Sequence, residues 1–224
     1  MTFSIAARCA ETGMFGLAVS SSSPAVAARC AYARAGVGAV ASQNITDPAL
    51  GPWALDLMAG GASAAEALEQ LAASTPHIEY RQLTAIDAQG RTAAFEGAKT
   101  LGLHSVAEGQ DAVAAGNLLA DVNLPIAMVA AFEAASGPLG DRLIAAMQAG
   151  FAAGGEAGPV HSAGLLLVRE VPWPVADLRI DWHDMDPIAA LADLWQIYKP
   201  QMDDYVTRAL DPSQAPGFGV PGDP

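Results

Sequence analysis

The order of apolar and polar positions predicts three strands before the first helix. The runs from Phe3 to Arg8 and from Met14 to Ser20 predict a hairpin, because Glu11-Thr12-Gly13 between them is a turn signal. A third extended segment, from Val37 to Ser42, is stopped by Asp47-Pro48. The amino-terminal part of the chain is therefore predicted to be a meander of strands.

Helices are predicted in pairs after this meander. The first pair covers Trp53 to Met58 and a stretch that opens at Ser63, where Glu66 completes a capping-box pattern. The elements predicted further along are strands at Tyr80–Asp87, Arg91–Glu96 and Ala112–Leu119, helices at Pro125–Ala135 and Leu139–Ala152, strands at Ala163–Arg169 and Val175–Asp181, and a helix capped by Asp186 with Pro187 at its first position.

This order favours two stacked antiparallel sheets with helix layers outside, an α+β fold of the αββα type. Paired helices do not fit a doubly wound parallel sheet, which needs about one helix per strand. Both sheets would be buried on both faces, and this explains why the strands are apolar without clean alternation. We expect one domain over residues 1–210 and a tail rich in Pro and Gly at residues 211–224.

Composition and charge narrow the range of partners. Hydrophobic residues make up 52% of the 224 residues, which predicts a folded chain. The 24 acidic residues outnumber the 11 Lys and Arg, and a net charge of -13 repels phosphate backbones and anionic lipids. We therefore expect no nucleic-acid partner and no membrane partner.

The cysteines and the amino terminus show no pattern of a metal motif, a signal peptide or a membrane span. Cys9 and Cys30 are too few and too far apart for a zinc motif or a disulfide framework. Arg8 and Glu11 interrupt the first apolar run too early for a signal peptide, and no apolar run reaches the ~20 residues of a membrane span. These features predict a cytoplasmic protein.

Thr2 is the first candidate for chemistry. Initiator methionine is usually removed when the second residue is small, which would leave Thr2 at the amino terminus. Such a threonine carries a nucleophilic hydroxyl and its own base, an α-amine whose reference pKa is ~7.7–8.0. The alternative is an ordinary threonine at the second position with no catalytic role.

Two other motifs have structural explanations that we favour, and a serine-hydrolase motif is absent from the places where it could occur. Gly36 to Ala41 matches the relaxed dinucleotide pattern G-x-G-x-x-A but lies in an extended segment, so close sheet packing explains its glycines better. Asp181 and His183 would share one face of a continued strand, as a possible acid–base or metal pair, yet a strand end and a helix cap also explain this polar cluster. No G-x-S-x-G elbow surrounds Ser162 or Ser20–Ser23, which argues against a serine hydrolase.

The order of several short motifs resembles the bacterial family known as domain of unknown function 1028, which has an N-terminal-nucleophile (Ntn) hydrolase-like fold. The resemblance extends from Thr2 to about Tyr198. The matching pieces are Thr2–Ile5, Arg34–Gln43, Gly51-Pro52, Leu55–Leu57, Arg81-Gln82, Asp87-Ala88, Gly90-Arg91, Gly116–Leu119, Ala149-Gly150, Gly154-Gly155, Ser162-Ala163, Asp177–Arg179, Asp181, His183 and Pro187.

The resemblance implies a reaction class without a substrate. It implies that Thr2 cleaves an amide bond in a small molecule or an acylated metabolite, with no cofactor and no metal. It leads us to expect an oxyanion donor near Gly116 or at Asn117, and Asn117→Ala tests that role. Arg34, Arg81, Asp181 and His183 are candidates for orienting the substrate or the α-amine, or for a buried ion network.

The sequence also departs from the family pattern. Glu156-Ala157-Gly158 and His161 stand where relatives have an acid, two arginines and a glutamine. Ser22 occupies a position where relatives often carry Lys or Arg, and Ala115-Gly116-Asn117 replaces a version led by glutamine. Because cations are missing from the expected site, the resemblance argues less for an anionic substrate.

Two functions follow as hypotheses. The first is an Ntn-type amidohydrolase acting on C–N bonds other than peptide bonds. The second is a non-catalytic binding or structural module on the same fold, which a retained Met1 would favour because it blocks the base on Thr2. The apolar tail after Asp211 suggests an arm that reaches a second copy, and hence a homo-oligomer.

Overall fold

Ten strands form the framework of the protein, whose structure is a computed structural model describing residues 1–217. In chain order the strands are β1 Thr2–Arg8, β2 Phe15–Ser21, β3 Ala31–Arg34, β4 Gly38–Asn44, β5 Arg81–Asp87, β6 Thr92–Glu96, β7 Ser105–Gly109, β8 Ala112–Asn117, β9 Ser162–Val168 and β10 Ala176–Ile180. Sheet A has the order β10-β9-β2-β1-β8-β7, and sheet B has the order β3-β4-β5-β6. All neighbouring strands are antiparallel, as predicted.

Seven helices accompany the sheets within residues 1–217. They are α1 Ala27–Cys30, α2 Leu50–Ala59, α3 Ala64–Ser74, α4 Leu124–Ala134, α5 Leu139–Ala152, α6 Pro187–Tyr198 and α7 Met202–Leu210. In this part of the chain no helix combines the length and apolar character that crossing a membrane requires. The predicted tail is described only as far as residue 217, where a short 3₁₀ turn, Pro212–Gln214, follows α7; residues 218–224 lie outside the described residues.

Three apolar clusters define the order of the layers. Phe3 and Ile5 on β1 pack against α4 and α5 on the outer face of sheet A, and α6 completes this cluster over β9 and β10. Ala6 on the same strand packs between the sheets, together with Leu17 and Ile86. On the far face of sheet B, β4 and β5 pack against α2 and α3. The molecule is a mixed α/β structure in which two antiparallel sheets lie between helices.

Burial on both faces of the sheets explains the pattern of the strands. Along β1, successive side chains point alternately to the helix layer and to the space between the sheets, because the strand period is two. Since both directions lead into apolar packing, Phe3, Ile5 and Ala6 can all be buried. The sequence predicted the same cause, burial on both faces, for strands that are apolar without clean alternation.

Two predicted helix starts are confirmed. The Ser63 side chain accepts a hydrogen bond from the Glu66 N–H and the Glu66 carboxylate accepts one from the Ser63 N–H, which forms the expected capping box of α3. At α6 the Asp186 carboxylate accepts from the N–H groups of Ile188 and Ala189, and Pro187 occupies the first turn.

The glycine pattern between Gly36 and Ala41 lies in a turn and in β4, and no helix opens within it. A Cβ on Gly38 would lie 2.2 Å from the carbonyl oxygen of Ile86 on β5. Close approach of two strands therefore accounts for this glycine, as the sequence predicted, and the dinucleotide interpretation has no structural support.

Four elements were not predicted: α1, β3, β7 and α7. The strand β3 is short and every one of its residues is half-buried, as are most of those in β7, so neither has a continuous apolar face. The helix α7 buries only Val206, and α1 has four residues. Edge strands and exposed helices bury little apolar surface, which leaves a weak periodic signal.

Candidate functional site

The space between the two sheets becomes polar at the amino end of β1. Ala6 faces the apolar cluster between the sheets, so Ser4 and Thr2 face the same space at the period of two. Thr2 is paired with Asn117 on β8, and its hydroxyl lies 3.4 Å from that of Ser21 on β2. Thr2 is 5% exposed and the other three side chains are fully buried. This end of the sandwich is the candidate site.

The peptide between Met1 and Thr2 is held by two hydroxyl groups. The carbonyl oxygen of Met1 accepts hydrogen bonds of 2.5 Å from Thr2 Oγ1 and of 2.5 Å from Ser21 Oγ. A carbonyl oxygen has two lone pairs and can accept both bonds. The hydroxyl of the candidate nucleophile therefore lies beside a carbonyl group that a second hydroxyl already binds.

A buried carboxyl group, Glu156, lies next to the end of β2. It follows the turn that ends α5 and pairs with Leu119 in an isolated β-bridge. Glu156 is 4% exposed, and both of its carboxylate oxygens lie 3.2 Å from the N–H of Ser22. Burial raises the pKa of Glu156 to about 7, although the N-terminal ammonium and the hydrogen bonds from Ser22 act in the opposite direction.

A chain of amide side chains links the two sheets behind Thr2. Ser4 Oγ donates to Gln43 Oε1 at 2.7 Å, and Gln43 Nε2 donates to Gln82 Oε1 at 2.8 Å. Asn117 Nδ2 donates to the same oxygen at 3.0 Å. Gln82 Nε2 in turn donates to the carbonyl of Gly116 at 2.9 Å. These bonds fix the orientation of Asn117, whose Oδ1 has no partner among residues 1–217.

The structure brings Thr2 and Asn117 together but places Arg34 elsewhere. Arg34 pairs with Gly38 in sheet B, five residues along β4 from Gln43, or roughly 17 Å at the spacing of a strand. Its guanidinium forms an exposed 2.8 Å ion pair with Asp56. No interaction joins Arg34 to the end of β1, because the register of β3 and β4 sends it to the opposite end of the sheet.

Arg81 lies at the same end of sheet B as the candidate site but points away from the space between the sheets. Its neighbour Gln82 faces that space, so the alternation of β5 directs Arg81 to the other side. The Arg81 guanidinium donates to the carbonyl of Ile45. It holds the loop after β4, and no described contact joins it to Thr2.

Asp181 and His183 lie after the end of β10, which stops at Ile180, so they do not share the face of one strand. Nδ1 of His183 accepts from the N–H groups of Met185 and Asp186 at 3.2 and 2.9 Å, and this arrangement orders the turn before α6. The backbone oxygen of Asp181 accepts from Ala25. Neither side chain has a described contact with Thr2, and both residues are linked to the end of β2 through backbone hydrogen bonds of neighbouring segments.

His161 connects the turn after β10 to β2. Its N–H donates to the carbonyl of Ser21 at 2.8 Å, and its own carbonyl accepts from the N–H of His183 at 2.7 Å. Its ring stacks on Trp182 with 4.2 Å between the centroids. The hydrogen-bonded backbone therefore runs from the polar cluster after β10 directly to the serine beside Thr2.

The residues that the sequence assigns to the site do not include Ser21 or the glutamines, and Glu156 enters only as the acid of the family pattern. The alternation of β2 was a usable signal for Ser21, because it places that serine on the same face as Leu17 and Val19. No local pattern marks Glu156, whose position depends on the turn after α5. Within residues 1–217, no three His, Cys, Asp or Glu side chains converge on a possible metal site.

Comparisons with known proteins agree with the family resemblance. The family described as "Family of unknown function (DUF1028)" matches residues 2–191. The crystal structure of protein SPO2555 from Silicibacter pomeroyi, of the same family, has 32% identity and a TM-score of 0.82, over 88% of this chain and 89% of that chain. Anbu (ancestral β-subunit) from Yersinia bercovieri gives a TM-score of 0.39 at 12% identity over 97% of this chain and 100% of that chain, which is too low to carry an argument. No curated protein matches the chain.

Proposed function

The chain belongs to the DUF1028 family, and from this premise we propose that it is an Ntn-type amidohydrolase in which Thr2 becomes the nucleophile once Met1 is removed. The family description names no reaction, so the support comes from the geometry around Thr2. The observation that carries the proposal is the place of its hydroxyl at the buried polar end of the two sheets, 3.4 Å from the hydroxyl of Ser21 and on the residue paired with Asn117. A substrate carbonyl that reaches this hydroxyl would lie among polar side chains able to donate hydrogen bonds.

The proposed reaction uses groups of Thr2 itself. Oγ1 attacks the substrate carbonyl carbon, and its proton passes to the free α-amine. The carbonyl π electrons move to oxygen and then return as the C–N bond breaks, while the proton goes to the leaving amine. Water hydrolyses the resulting ester and regenerates Thr2. The reaction balances without a redox partner.

Glu156 and Asn117 support this reaction in different ways. Glu156 lies within electrostatic reach of the Met1 ammonium, and once Met1 is removed we propose that its carboxylate balances the charge of the α-ammonium of Thr2. Asn117 is directly opposite Thr2, and only one hydrogen of its amide nitrogen is used by Gln82, which leaves the second for an oxyanion. We propose a small, uncharged amide or acylated metabolite as substrate, since Arg34 and Arg81 are directed elsewhere.

The intact mass of the protein purified from its native host is the first test. We expect a mass lower by one methionine residue. The Met1-free protein is then incubated with a panel of N-acyl amides and with acyl p-nitroanilides as chromogenic probes. Thr2→Val keeps the shape of the side chain and removes the hydroxyl, so we expect kcat to fall by about 10⁴-fold or more.

Thr84→Val is the matched control, because Thr84 is also a buried strand threonine and is 1% exposed. We expect it to keep its activity. A full-length mass in the native host would overturn the assignment of Thr2, since the Thr2 nitrogen would remain in an amide bond and could not act as a base. The binding-module hypothesis would then gain support if Met1-bearing protein bound a ligand that Thr2→Val also bound.

A further inference from the structure

Ser21 at the end of β2 and Ser23 just after it form a continuous hydrogen-bonded chain that ends at the carbonyl group beside Thr2. Ser21 Oγ donates to the Met1 oxygen at 2.5 Å and is itself 2.8 Å from Ser23 Oγ. The Ser23 N–H also donates to Ser21 Oγ, at 3.1 Å. At the other end, Arg29 Nη2 donates to Ser23 Oγ at 2.5 Å. The chain therefore runs from a guanidinium to the Met1 carbonyl.

The direction of every hydrogen bond in this chain follows from counting protons. A serine hydroxyl has a single hydrogen, and that of Ser21 is used for the Met1 oxygen. The bond between the two hydroxyls must therefore be donated by Ser23. Having used its hydrogen, Ser23 Oγ can only accept, and the guanidinium of Arg29 is a donor that cannot lose its proton.

From this arrangement we propose that Ser21 is an oxyanion donor of the Thr2 site and that Ser23 and Arg29 position and polarise it. This inference rests on the proposed function. The Met1 carbonyl oxygen marks a position beside Thr2 Oγ1 that Ser21 Oγ reaches, and removal of Met1 leaves this position free for a substrate oxygen. As the attacked carbonyl becomes tetrahedral its oxygen gains negative charge, and the Ser21 O–H stabilises that charge.

The charge of Arg29 is available to the chain. Its Nη1 donates to the backbone carbonyls of Pro24 and Ala25 at 2.6 and 3.0 Å, which fixes the guanidinium without neutralising it. Arg29 forms no salt bridge with a carboxylate of residues 1–217. A hydrogen bond donated by an ionised group is stronger than a neutral one, and successive bonds polarise each other.

The hydrogen bond itself can be tested without any substrate. Met1-Thr2 is the only Met-Thr pair in the sequence, so protein that retains Met1 and carries ¹³C-carbonyl Met and ¹⁵N-Thr gives one HNCO cross-peak. We expect Ser21→Ala to move the Met1 carbonyl resonance upfield. Arg29→Gln should move it in the same direction by less, and Arg29→Lys should partly restore it because the positive charge returns.

Ser20→Ala is the matched control. Ser20 is fully buried, and its hydroxyl donates to the carbonyl of Ser162, but its place opposite Phe3 directs it to the other face of sheet A. We expect this variant to leave the Met1 carbonyl resonance unchanged. An unshifted resonance in Ser21→Ala would overturn the proposal, whatever the activity of the protein.

The catalytic role is tested on Met1-free protein with p-nitrophenyl acetate, with the acetyl group on Thr2 followed by intact mass. We expect Ser21→Ala to slow acylation by about 10²–10³-fold, mainly in kcat, and Ser20→Ala to stay close to the parent rate. Arg29→Lys should be faster than Arg29→Gln. Equal rates in Ser21→Ala and the parent would overturn the oxyanion assignment and leave Thr2 as nucleophile.

A different result would separate the two proposals. If Ser21→Ala moves the resonance but no acetyl group ever appears on Thr2, the hydrogen bond is real and the hydrolase proposal fails. The oxyanion role is then overturned together with it. The acylation rates of Ser21→Ala and Asn117→Ala, measured in the same assay, show whether the Ser21 hydroxyl or the Asn117 amide contributes more to oxyanion stabilisation.

Discussion

At the scale of single residues, the candidate site owes its chemistry to burial. Thr2, Ser21 and Glu156 are ordinary side chains that lie out of water, at 5%, 0% and 4% exposure. Removal from water strengthens each hydrogen bond they make and penalises each charge. Glu156 shows this most clearly, because burial outweighs the favourable N-terminal ammonium and raises its pKa to about 7.

The raised pKa of Glu156 predicts a pH-dependent stability. Between the ordinary value of 4.5 and about 7, the folded protein holds a proton that the unfolded chain has lost. Stability therefore falls as the pH rises through this window, by about 3 kcal/mol at most. Glu156→Gln cannot ionise, so its unfolding free energy relative to wild type should rise from pH 4.5 to 7.5, as measured by urea denaturation.

Glu69→Gln provides the comparison for Glu156, since Glu69 is exposed on α3. Its unfolding free energy should follow that of the wild type across the same pH range. If the curves of Glu156→Gln and wild type were parallel, the ionisation of Glu156 would not be linked to folding, and the burial argument would be wrong.

At the scale of elements, one carboxylate joins a hairpin to a helix. Asp87 at the end of β5 is 1% exposed and accepts from the N–H groups of Gln89 and Arg91 in the turn to β6. It also accepts from the N–H of Ala64 at the start of α3 and from Arg91 Nε. One side chain thus satisfies donors of the turn and of a helix start, which otherwise lack partners.

Asp87→Ala should therefore destabilise the protein by about 2–3 kcal/mol, because one buried and three part-buried donors lose their acceptor. Asp87→Asn keeps one acceptor oxygen and should lose less. Asp56→Ala removes an exposed partner of Arg34 and should change stability by less than about 1 kcal/mol. Thermal and urea unfolding measure all three, and a loss from Asp87→Ala as small as that from Asp56→Ala would contradict the assignment.

Elements with strong local signals were predicted well from the sequence. The predicted helix at residues 139–152 coincides with α5, and the capping signals at Ser63 and Asp186 mark the starts of α3 and α6. Each depends on residues three or four positions apart, so the chain carries the information locally. Strands such as β3 and β7 depend on pairing with a neighbouring strand, and no local sequence pattern predicts them.

At the scale of the whole molecule, the two sheets are joined by polar as well as apolar contacts. Gln82 on sheet B accepts from Asn117 of sheet A and donates to the carbonyl of Gly116, and it also accepts from Gln43 within its own sheet. Its side chain is fully buried. A buried amide with all of its partners in place specifies how the sheets are aligned.

Replacing Gln82 by Leu should cost about 3 kcal/mol or more, since two amide donors and one carbonyl lose a buried partner. Gln70→Leu, on the exposed side of α3, should be close to neutral. The double variant with Gln43→Leu should cost less than the sum of the single variants, because both partners of one bond are removed. Strict additivity in urea unfolding would show that the bond does not contribute.

The sequence by itself determined the apolar strands, the paired helices and their caps, because these follow from residue spacing and from side chains a few positions apart. It also made Thr2 a candidate nucleophile, because that proposal depends only on the place of Thr2 in the chain. Tertiary structure alone decided which polar residues surround Thr2. Ser21, Asn117 and Glu156 come from segments far apart in sequence, and strand register and the turn after α5 bring them together. The same register sends Arg34 to the opposite end of its sheet.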